Sequence, residues 1–169
     1  MNLLDPWTTP FGLAPFDRIS DSDFAPAMDV ALDHARSGMQ AIAKSSEAPT
    51  FENTIEAQEL AEEPLNQLAA AFYTLASTDS TPLREELQRE FAPKLSAYAS
   101  AVTSNVALFG RIEDLWSRRA SLGLSPEQER VLMLTRRDFI RAGAKLTGAE
   151  AARMAEIKSR LAILGTTFM

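Results

Sequence analysis

The sequence predicts an all-α protein of about six helices in antiparallel pairs, preceded by an extended arm rich in proline and aromatic residues. The chain has only seven glycines among 169 residues, while alanine, leucine and glutamate abound. Apolar residues recur at three- and four-residue spacing through most of the chain, which indicates amphipathic helices. No segment alternates polar and apolar residues over the length of a strand. We predict an arm over residues 1–20 and a helical domain over residues 21–169, which we expect to stop within its last helix.

The arm is punctuated by prolines, which force non-helical backbone at and before each ring. These prolines are Pro6, Pro10 and Pro15. Three large aromatic side chains of the arm are predicted to anchor it on the helical body, namely Trp7, Phe11 and Phe16.

The first helix is predicted to begin near Asp21 to Asp23 and to run to about Lys44, with one apolar stripe facing inward. The stripe consists of Phe24, Met28, Ala31, Leu32, Ala35, Met39 and Ile42. The second helix is predicted from Phe51 to about Leu75, with Thr50 as its N-cap. Its inward residues are Ile55, Leu65, Leu68, Phe72 and Leu75. Because Pro64 cannot donate a backbone hydrogen bond, we expect a kink or a brief break there.

Residues 77–81 are predicted to be a polar connector, with Pro82 as the first residue of the third helix. Pro93 is predicted to bend that helix, whose apolar residues are Leu83, Leu87, Phe91, Leu95, Tyr98 and Val102. Asn105 is predicted to cap the fourth helix, which carries Leu108, Ile112, Leu115 and Trp116 and ends in residues 121–124.

The fifth helix shows the most complete start signal, because Ser125 precedes Pro126 and a capping-box Gln128. It is predicted to run to about Ala142 and to stop at Gly143. Thr147 and Glu150 repeat the capping pattern for a sixth helix, whose inner face would carry Met154, Ile157, Leu161 and Leu164.

The net charge of −6 and the pI near 4.9 disfavour binding to nucleic acid or to an anionic membrane. No apolar run approaches the roughly 20 residues that span a bilayer. The N-terminus lacks the basic and apolar regions of a signal peptide. The chain has no cysteine, which removes disulfides, thiol catalysis and cysteine zinc sites. These features fit a cytoplasmic protein.

Four groups of residues are candidate sites. His34, which has no second histidine to pair with, is predicted to be structural or to face the solvent. The acidic pairs Glu62-Glu63 and Glu85-Glu86 are predicted to lie on solvated faces, because adjacent helical residues diverge by about 100°.

The main concentration of basic residues consists of Arg118, Arg119, Arg136, Arg137, Arg141 and Lys145. Arg137 and Arg141 lie one turn apart and could grip a carboxylate such as a peptide terminus. Ion pairing with Asp114, Asp138 or other surface acids is the simpler interpretation. Phe72 and Tyr73, beside Ala69–Ala71, could contribute to a channel wall, whereas packing in the helical core is the simpler role.

Six stretches resemble, in the same order, the N-terminal region of the zinc metallopeptidases that include thimet oligopeptidase, oligopeptidase A and peptidyl-dipeptidase. The stretches are FGLAPFDRI (11–19), FAPAMDVAL (24–32), PTFENTI (49–55), LFGRIEDLWSRRASLGL (108–124), RDFIRAGAKL (137–146) and SRLAILGTTF (159–168). The resemblance covers nearly the whole chain and is strongest to the bacterial peptidyl-dipeptidases. It implies a helical section that helps to wall a deep substrate channel.

The resemblance also implies what this chain does not carry. The family holds one zinc ion with an H-E-x-x-H helix and a downstream glutamate, and this sequence has a single histidine. We therefore assign no catalytic residue, no metal ligand and no cofactor to this chain, and its substrate-binding residues are unknown. Zinc is expected in the parent enzyme only.

The sequence thus predicts the N-terminal part of a zinc-dependent peptidyl-dipeptidase or oligopeptidase, inactive by itself. Its expected partners are the missing C-terminal catalytic region, the peptide substrate of the parent enzyme, and further copies of itself through exposed apolar faces. Such a face is expected around Leu161, Leu164, Phe168 and Met169. The alternative is a self-sufficient all-α interaction module that is related to these peptidases but not catalytic.

Overall fold

Helices make up every regular element in the part of the chain that the computed structural model describes, residues 3–150, 152–154, 156, 157, 160 and 164. The long helices are α1 (Asp21–Lys44), α2 (Ala57–Thr78), α3 (Pro82–Thr103), α4 (Val106–Arg118) and α5 (Pro126–Ala142). A π-helical turn, Phe51–Glu56, leads into α2, and short 3₁₀ turns cover Pro10–Gly12 and Arg119–Ser121. The described residues from Gly148 onward are also helical. The predicted all-α class is therefore confirmed.

The chain divides into two compact units, Met1–Val102 and Thr103–Met169. In the first unit, α1 and α2 run antiparallel, because Phe24 contacts Phe72 while Gly38 lies against Ala61. Helix α3 runs antiparallel to α2 in turn, since Phe91 packs on Phe72 and Tyr98 reaches Glu62. The first unit is thus built on three helices in up-down-up order.

The core of the first unit follows the predicted stripes. The buried residues of α1 are the seven that periodicity selected: Phe24, Met28, Ala31, Leu32, Ala35, Met39 and Ile42. Phe72 lies at the centre, with ring centroids 5.1 Å from Phe24, 5.2 Å from Tyr73 and 4.8 Å from Phe91, all in edge-to-face geometry. Such pairs add to the stability that burial provides.

The start of the second helix confirms the predicted cap and adds an unpredicted turn. The Thr50 hydroxyl accepts from the Asn53 amide at 3.1 Å, and the Asn53 side chain accepts from the Thr50 amide at 2.8 Å. The backbone is π-helical here, because the Ala57 N–H donates to the carbonyl of Glu52, five residues earlier. The Gln58 side chain donates to the Thr54 carbonyl at 2.5 Å, so a side chain supplements the backbone ladder.

Of the kink or brief break predicted at Pro64, the break does not form, since α2 runs through Pro64 without interruption, as α3 does through Pro93. Each proline removes one backbone hydrogen bond, and neighbouring buried residues such as Leu65 and Phe91 hold the helices together. Helix α2 also ends later than predicted, at Thr78, so the connector is limited to 79–81. The Thr78 hydroxyl donates to the Thr74 carbonyl at 2.7 Å, which accommodates this residue inside the helix.

A polar junction joins the first turns of α1 and α3. The Arg84 guanidinium donates from Nε to Asp21 at 2.8 Å and from Nη1 to Asp79 at 3.0 Å. This end of α3 is therefore held by ion pairs, and the apolar residue Leu83 is exposed. Leu75, Leu95 and Val102 are only half-buried.

In the second unit, α4 and α5 form an antiparallel pair. Phe109 stacks on Phe139 at a centroid distance of 5.9 Å, while Glu113 pairs with Arg136 further along. The predicted capping box at Ser125 is confirmed, with the Gln128 amide donating to the Ser125 hydroxyl at 3.1 Å.

The predicted boundaries around this pair hold with one difference. Gly143 ends α5 with a φ of +102°, and Asn105 caps α4 by accepting from the Leu108 amide at 3.0 Å. Trp116 is only half-buried, and α4 ends at Arg118 before a 3₁₀ turn.

Beyond α5, the predicted inner face of the sixth helix is partly wrong. Ile157 and Leu164 are 41% and 54% exposed. Leu161, Phe168 and Met169 lie outside the described residues.

The arm contradicts two of its three predicted anchors. Trp7 is half-buried, but Phe16 is exposed and Phe11 is 99% exposed, while Leu3 and Pro15 are buried instead. The cause at Phe11 is its backbone, which has a φ of +61° directly after Pro10 and so turns outward. No helix among the described residues combines the length and hydropathy needed to cross a membrane.

Candidate functional site

A groove with a volume of about 560 Å³ lies along α2 in the first unit. Its lining residues are Gly12, Glu59, Leu60, Glu63, Asn66 and Gln67. Five of the six belong to α2 and recur at the spacing of one helical face, so a single helix supplies most of the wall. We refer to this surface as the α2 groove.

The α2 groove combines charge, amide groups and apolar surface. Glu59 and Glu63 lie four residues apart on α2, which places their side chains side by side. Neither carboxylate forms an ion pair with a cation of the described residues. Leu60 is a largely exposed apolar residue, while Asn66 and Gln67 bring side-chain amides that can both donate and accept hydrogen bonds.

The arm supplies the remaining wall through Gly12. The 3₁₀ turn Pro10–Gly12 is closed by the Gly12 amide, which donates to the Thr9 carbonyl at 3.0 Å. Phe11 and Gly12 both have positive φ, 61° and 66°. Only Gly12 adopts this conformation without steric cost, so the backbone at Phe11 is strained while its ring packs against nothing.

Glu62, which precedes the groove residue Glu63, is hydrogen-bonded to a buried side chain of α3. Tyr98 on α3 donates its hydroxyl to the Glu62 carboxylate at 2.7 Å. Burial raises the pKa of Glu62 above its ordinary value of 4.5; the Tyr98 bond opposes this effect and the Glu59 charge adds to it. Burial and the Glu62 carboxylate together raise the pKa of the Tyr98 hydroxyl strongly.

The remaining predicted acidic residues behave as expected on solvated surfaces. Glu63, Glu85 and Glu86 are exposed, so the prediction of solvated faces holds for them and fails for Glu62. The failure has a physical reason, since Glu62 faces α3 and its carboxylate meets Tyr98. His34 is exposed, as the prediction of a solvent-facing role allowed.

The basic residues of the second unit are mostly engaged in ion pairs, which confirms the simpler interpretation for them. Arg118 pairs with Asp114, Arg137 pairs with Asp138 at 3.1 Å, and Arg136 pairs with Glu113 at 2.5 Å. Arg137, which the sequence offered together with Arg141 as an alternative grip for the carboxylate of a peptide terminus, here turns to Asp138. Arg141 is exposed.

The Trp116 ring contacts two arginines of this basic group. The guanidinium of Arg119 lies 4.1 Å from the centroid of the Trp116 ring, and that of Arg136 lies 5.0 Å from it. Lys145 also reaches Glu113, at 3.2 Å. Burial alone would raise the pKa of Glu113, but hydrogen bonds from Arg136 and Lys145 outweigh it and lower that pKa. The arrangement is a stabilising cation–π and ion-pair cluster.

Phe72 takes the core role rather than the channel-wall role, because it is fully buried among three other rings. Sequence reasoning missed three features: the Tyr98–Glu62 bond, the buried Arg111 on α4, and the α2 groove. The spacing of Glu59 and Glu63 was visible in the sequence, but nothing there placed Gly12 of the arm beside them.

A zinc centre does not fit the side chains at hand. Within the described part of the chain, no three histidine, cysteine, aspartate or glutamate residues converge where a metal ion could bind. The whole sequence offers one histidine, whereas the family's zinc helix needs two, one turn apart.

Comparison with known proteins tests the resemblance. No protein-family model matches the chain. The chain is 31% identical over 161 residues to dipeptidyl carboxypeptidase of Escherichia coli (strain K12), a match that covers 95% of this chain and 24% of that protein. It is 31% identical over 166 residues to dipeptidyl carboxypeptidase of Salmonella typhimurium, covering 98% of this chain and 24% of that protein.

Oligopeptidase A of Escherichia coli is 26% identical over 166 residues, again with 98% of this chain and 24% of the relative covered. The all-α chain is thus similar along nearly its whole length to one part of these bacterial proteins. The chain is related to the N-terminal region of the family that includes peptidyl-dipeptidase and oligopeptidase A. It spans about a quarter of the length of these curated relatives, since each match covers 24% of the relative.

Proposed function

We propose that the chain is the N-terminal, channel-lining helical region of a zinc-dependent peptidyl-dipeptidase or oligopeptidase that hydrolyses short peptides. The single observation that carries the proposal is the match along 95–98% of this chain to 24% of the length of relatives named for peptidase activity. The catalytic zinc centre would lie in the remaining three quarters of the parent protein. That region and the peptide substrate are the proposed partners, and the cytoplasm is the proposed location.

This chain contributes shape and surface rather than chemistry. Since its residues do not fit a zinc centre, no catalytic step is assigned to them. The buried cores of α1–α3 and of α4–α5 hold long helices in fixed positions, which is what a channel wall requires. By itself the chain is expected to bind no zinc at a defined site and to hydrolyse no peptide.

The first test uses the purified 169-residue chain with a quenched fluorescent oligopeptide, with and without added zinc. We expect no hydrolysis above that of a buffer control. Hydrolysis that disappears on addition of a chelator would contradict the proposed division of labour, because it would place a working zinc site in this chain.

The second test exchanges the matched region of the Escherichia coli dipeptidyl carboxypeptidase for this chain. If the chain is the equivalent region, the chimera should fold, bind zinc and retain measurable peptidase activity. The matched control carries Phe72→Asp in the transplanted segment, which buries a charge in the core and should abolish activity. A chimera that folds and binds zinc but is as inactive as this control would count against the proposal.

A self-sufficient interaction module is the second candidate. It is favoured by one observation, namely that each of the two units has buried residues of its own, as at Phe72 in the first and Ile112 in the second. Such a module should remain monomeric in solution. The proposed peptidase region should instead self-associate through apolar surface such as that of Ile157 and Leu164, and sedimentation over a range of concentrations separates the two.

A further inference from the structure

The arm carries an aromatic residue at a turn position that favours glycine. The Gly12 amide closes the turn by donating to the Thr9 carbonyl at 3.0 Å, with Pro10 as the second residue of the turn and Phe11 as the third. Phe11 has a φ of +61°, and turns that need a positive φ at the third position usually have glycine there. Phe11 is therefore held in this turn at a cost in backbone strain.

Hydrogen bonds fix this turn although its strained residue is not buried. The Thr9 hydroxyl donates to the Leu13 carbonyl, and the Leu13 amide donates to the Pro10 carbonyl at 3.4 Å. The Phe11 side chain is 99% exposed, so burial within this chain does not offset the strain. Strained residues that persist in a fixed conformation are typical of functional contacts. The geometry thus points to a contact of Phe11 outside this chain.

Phe11 belongs to a larger apolar surface. Leu13 is 62% exposed, and Leu60 of α2, which lines the α2 groove together with Gly12, is 60% exposed. We call Phe11, Leu13 and Leu60 the arm patch. An aromatic side chain presents about 200 Å², and the two leucines bring the exposed apolar area to about 400 Å². Patches of this size on soluble proteins often mark interaction sites.

The area of the arm patch indicates what kind of partner covers it. A stable interface between separate proteins buries about 800 Å² on each partner, roughly twice the area of the arm patch. Two regions of one polypeptide need less area, because the linkage keeps them at a high effective concentration. The relatives contain such a further region, since the chain matches 24% of their length.

We propose that the arm patch docks on an apolar surface of the remaining three quarters of the parent protein, with the Phe11 ring as its anchor. The inference rests on the proposed function, which makes that region the partner of this chain, and it adds the residues through which the two regions meet. Because the turn already holds the Phe11 backbone in place, docking costs less conformational entropy than docking of a mobile arm.

The test compares amide hydrogen exchange of residues 9–16 in the isolated 169-residue chain and in the chimera with the Escherichia coli dipeptidyl carboxypeptidase. We expect exchange to be at least tenfold slower in the chimera, because docking stabilises the turn. Equally fast exchange in the two proteins would overturn the inference. Slow exchange that depends on the concentration of the isolated chain would also overturn it, because a second copy would then cover the arm patch.

Phe11→Gly removes the anchor and keeps the turn, since glycine adopts a positive φ freely. In the chimera, this variant should exchange residues 9–16 at least tenfold faster than the unsubstituted chimera. In the isolated chain it should leave the melting temperature unchanged or raise it, because the strain is relieved. The matched control is Val30→Ala, which shortens another exposed apolar side chain of the same unit and should change the exchange less than twofold.

Full protection in the Phe11→Gly chimera, or equal loss of protection in the two variants, would reject Phe11 as the anchor and with it the inference. The outcome is separable from that of the proposed function, because the peptidase activity of the chimera is measured independently. An active chimera with a rapidly exchanging arm rejects the arm patch and keeps the peptidase region. A protected arm in an inactive chimera supports the docking contact and counts against the proposed activity.

Discussion

Phe72 is the residue on which the first unit depends most. It is fully buried and contacts Phe24 of α1 and Phe91 of α3, so one ring joins three helices. Phe72→Ala should therefore reduce the free energy of unfolding by about 3–5 kcal/mol, through lost burial and the cavity left behind. Denaturation in urea followed by circular dichroism measures this loss.

Phe11 provides the control for that substitution. Its ring is 99% exposed, so Phe11→Ala removes the same atoms without a cavity and should change the free energy of unfolding by no more than about 0.5 kcal/mol. Equal losses at the two positions would mean that the ring cluster is not the centre of the core.

Glu62 makes the stability of the chain depend on pH in an unusual direction. Burial raises its pKa in the folded state above the ordinary 4.5, with a smaller contribution from Glu59 against the opposing bond from Tyr98. The folded chain therefore keeps a proton that the unfolded chain releases. The resulting stability is fully present below pH 4.5 and is lost as the pH rises through the raised pKa of Glu62.

Glu62→Gln tests this sign, because glutamine can still accept from the Tyr98 hydroxyl but cannot ionise. The variant should match the wild type below pH 4.5 and become the more stable of the two as the pH rises toward 7. The difference in free energy of unfolding between the two proteins, measured across this range, cancels the titration of the other carboxylates. If the wild type instead became more stable than the variant as the pH rises, the folded chain would favour the ionised form of Glu62.

At the scale of helices, alanine substitutions at two glycines that lie within helices are predicted to change stability in opposite directions. A Cβ atom at Gly38 of α1 would lie 2.6 Å from the Cβ of Ala61 on α2, so Gly38 lets these helices approach closely. Gly38→Ala should cost about 1–2 kcal/mol, because overpacking outweighs the gain in helix propensity. At Gly110 of α4 nothing lies within 4 Å of such an atom, and Gly110→Ala should stabilise by about 1 kcal/mol.

Thermal unfolding of the two alanine variants and the wild type shows whether each substitution stabilises or destabilises the chain. Stabilisation by Gly38→Ala would mean that α1 and α2 are not in close contact at this point. Destabilisation by Gly110→Ala would mean that the outer face of α4 is covered.

Local signals account for what could be predicted from the sequence. The seven buried residues of α1 follow from a 3.6-residue period, and the start of α5 follows from the chemistry of Ser125 and Gln128. Non-local causes account for the rest. Phe11 turns outward because of a backbone angle, Glu62 is half-buried because Tyr98 is placed beside it by α3, and the α2 groove requires Gly12 from the arm.

At the scale of the whole molecule, the chain holds two separate sets of buried residues. Phe72 and its ring neighbours belong to Met1–Val102, while the stacked pair Phe109 and Phe139 belongs to Thr103–Met169. The ring contacts of Phe72 and of Phe139 are each with residues of the same unit, and local openings follow such cooperative units. We therefore expect substitutions in the two cores to act on different parts of the chain.

Native-state hydrogen exchange with peptide-level resolution tests this expectation on the intact chain. Phe72→Ala should lower amide protection mainly in α1, α2 and α3, and Phe139→Ala mainly in α4 and α5. The two variants are matched, since each removes a buried phenylalanine ring that packs on another ring. If either variant lowered protection equally throughout the chain, the two units would unfold as one.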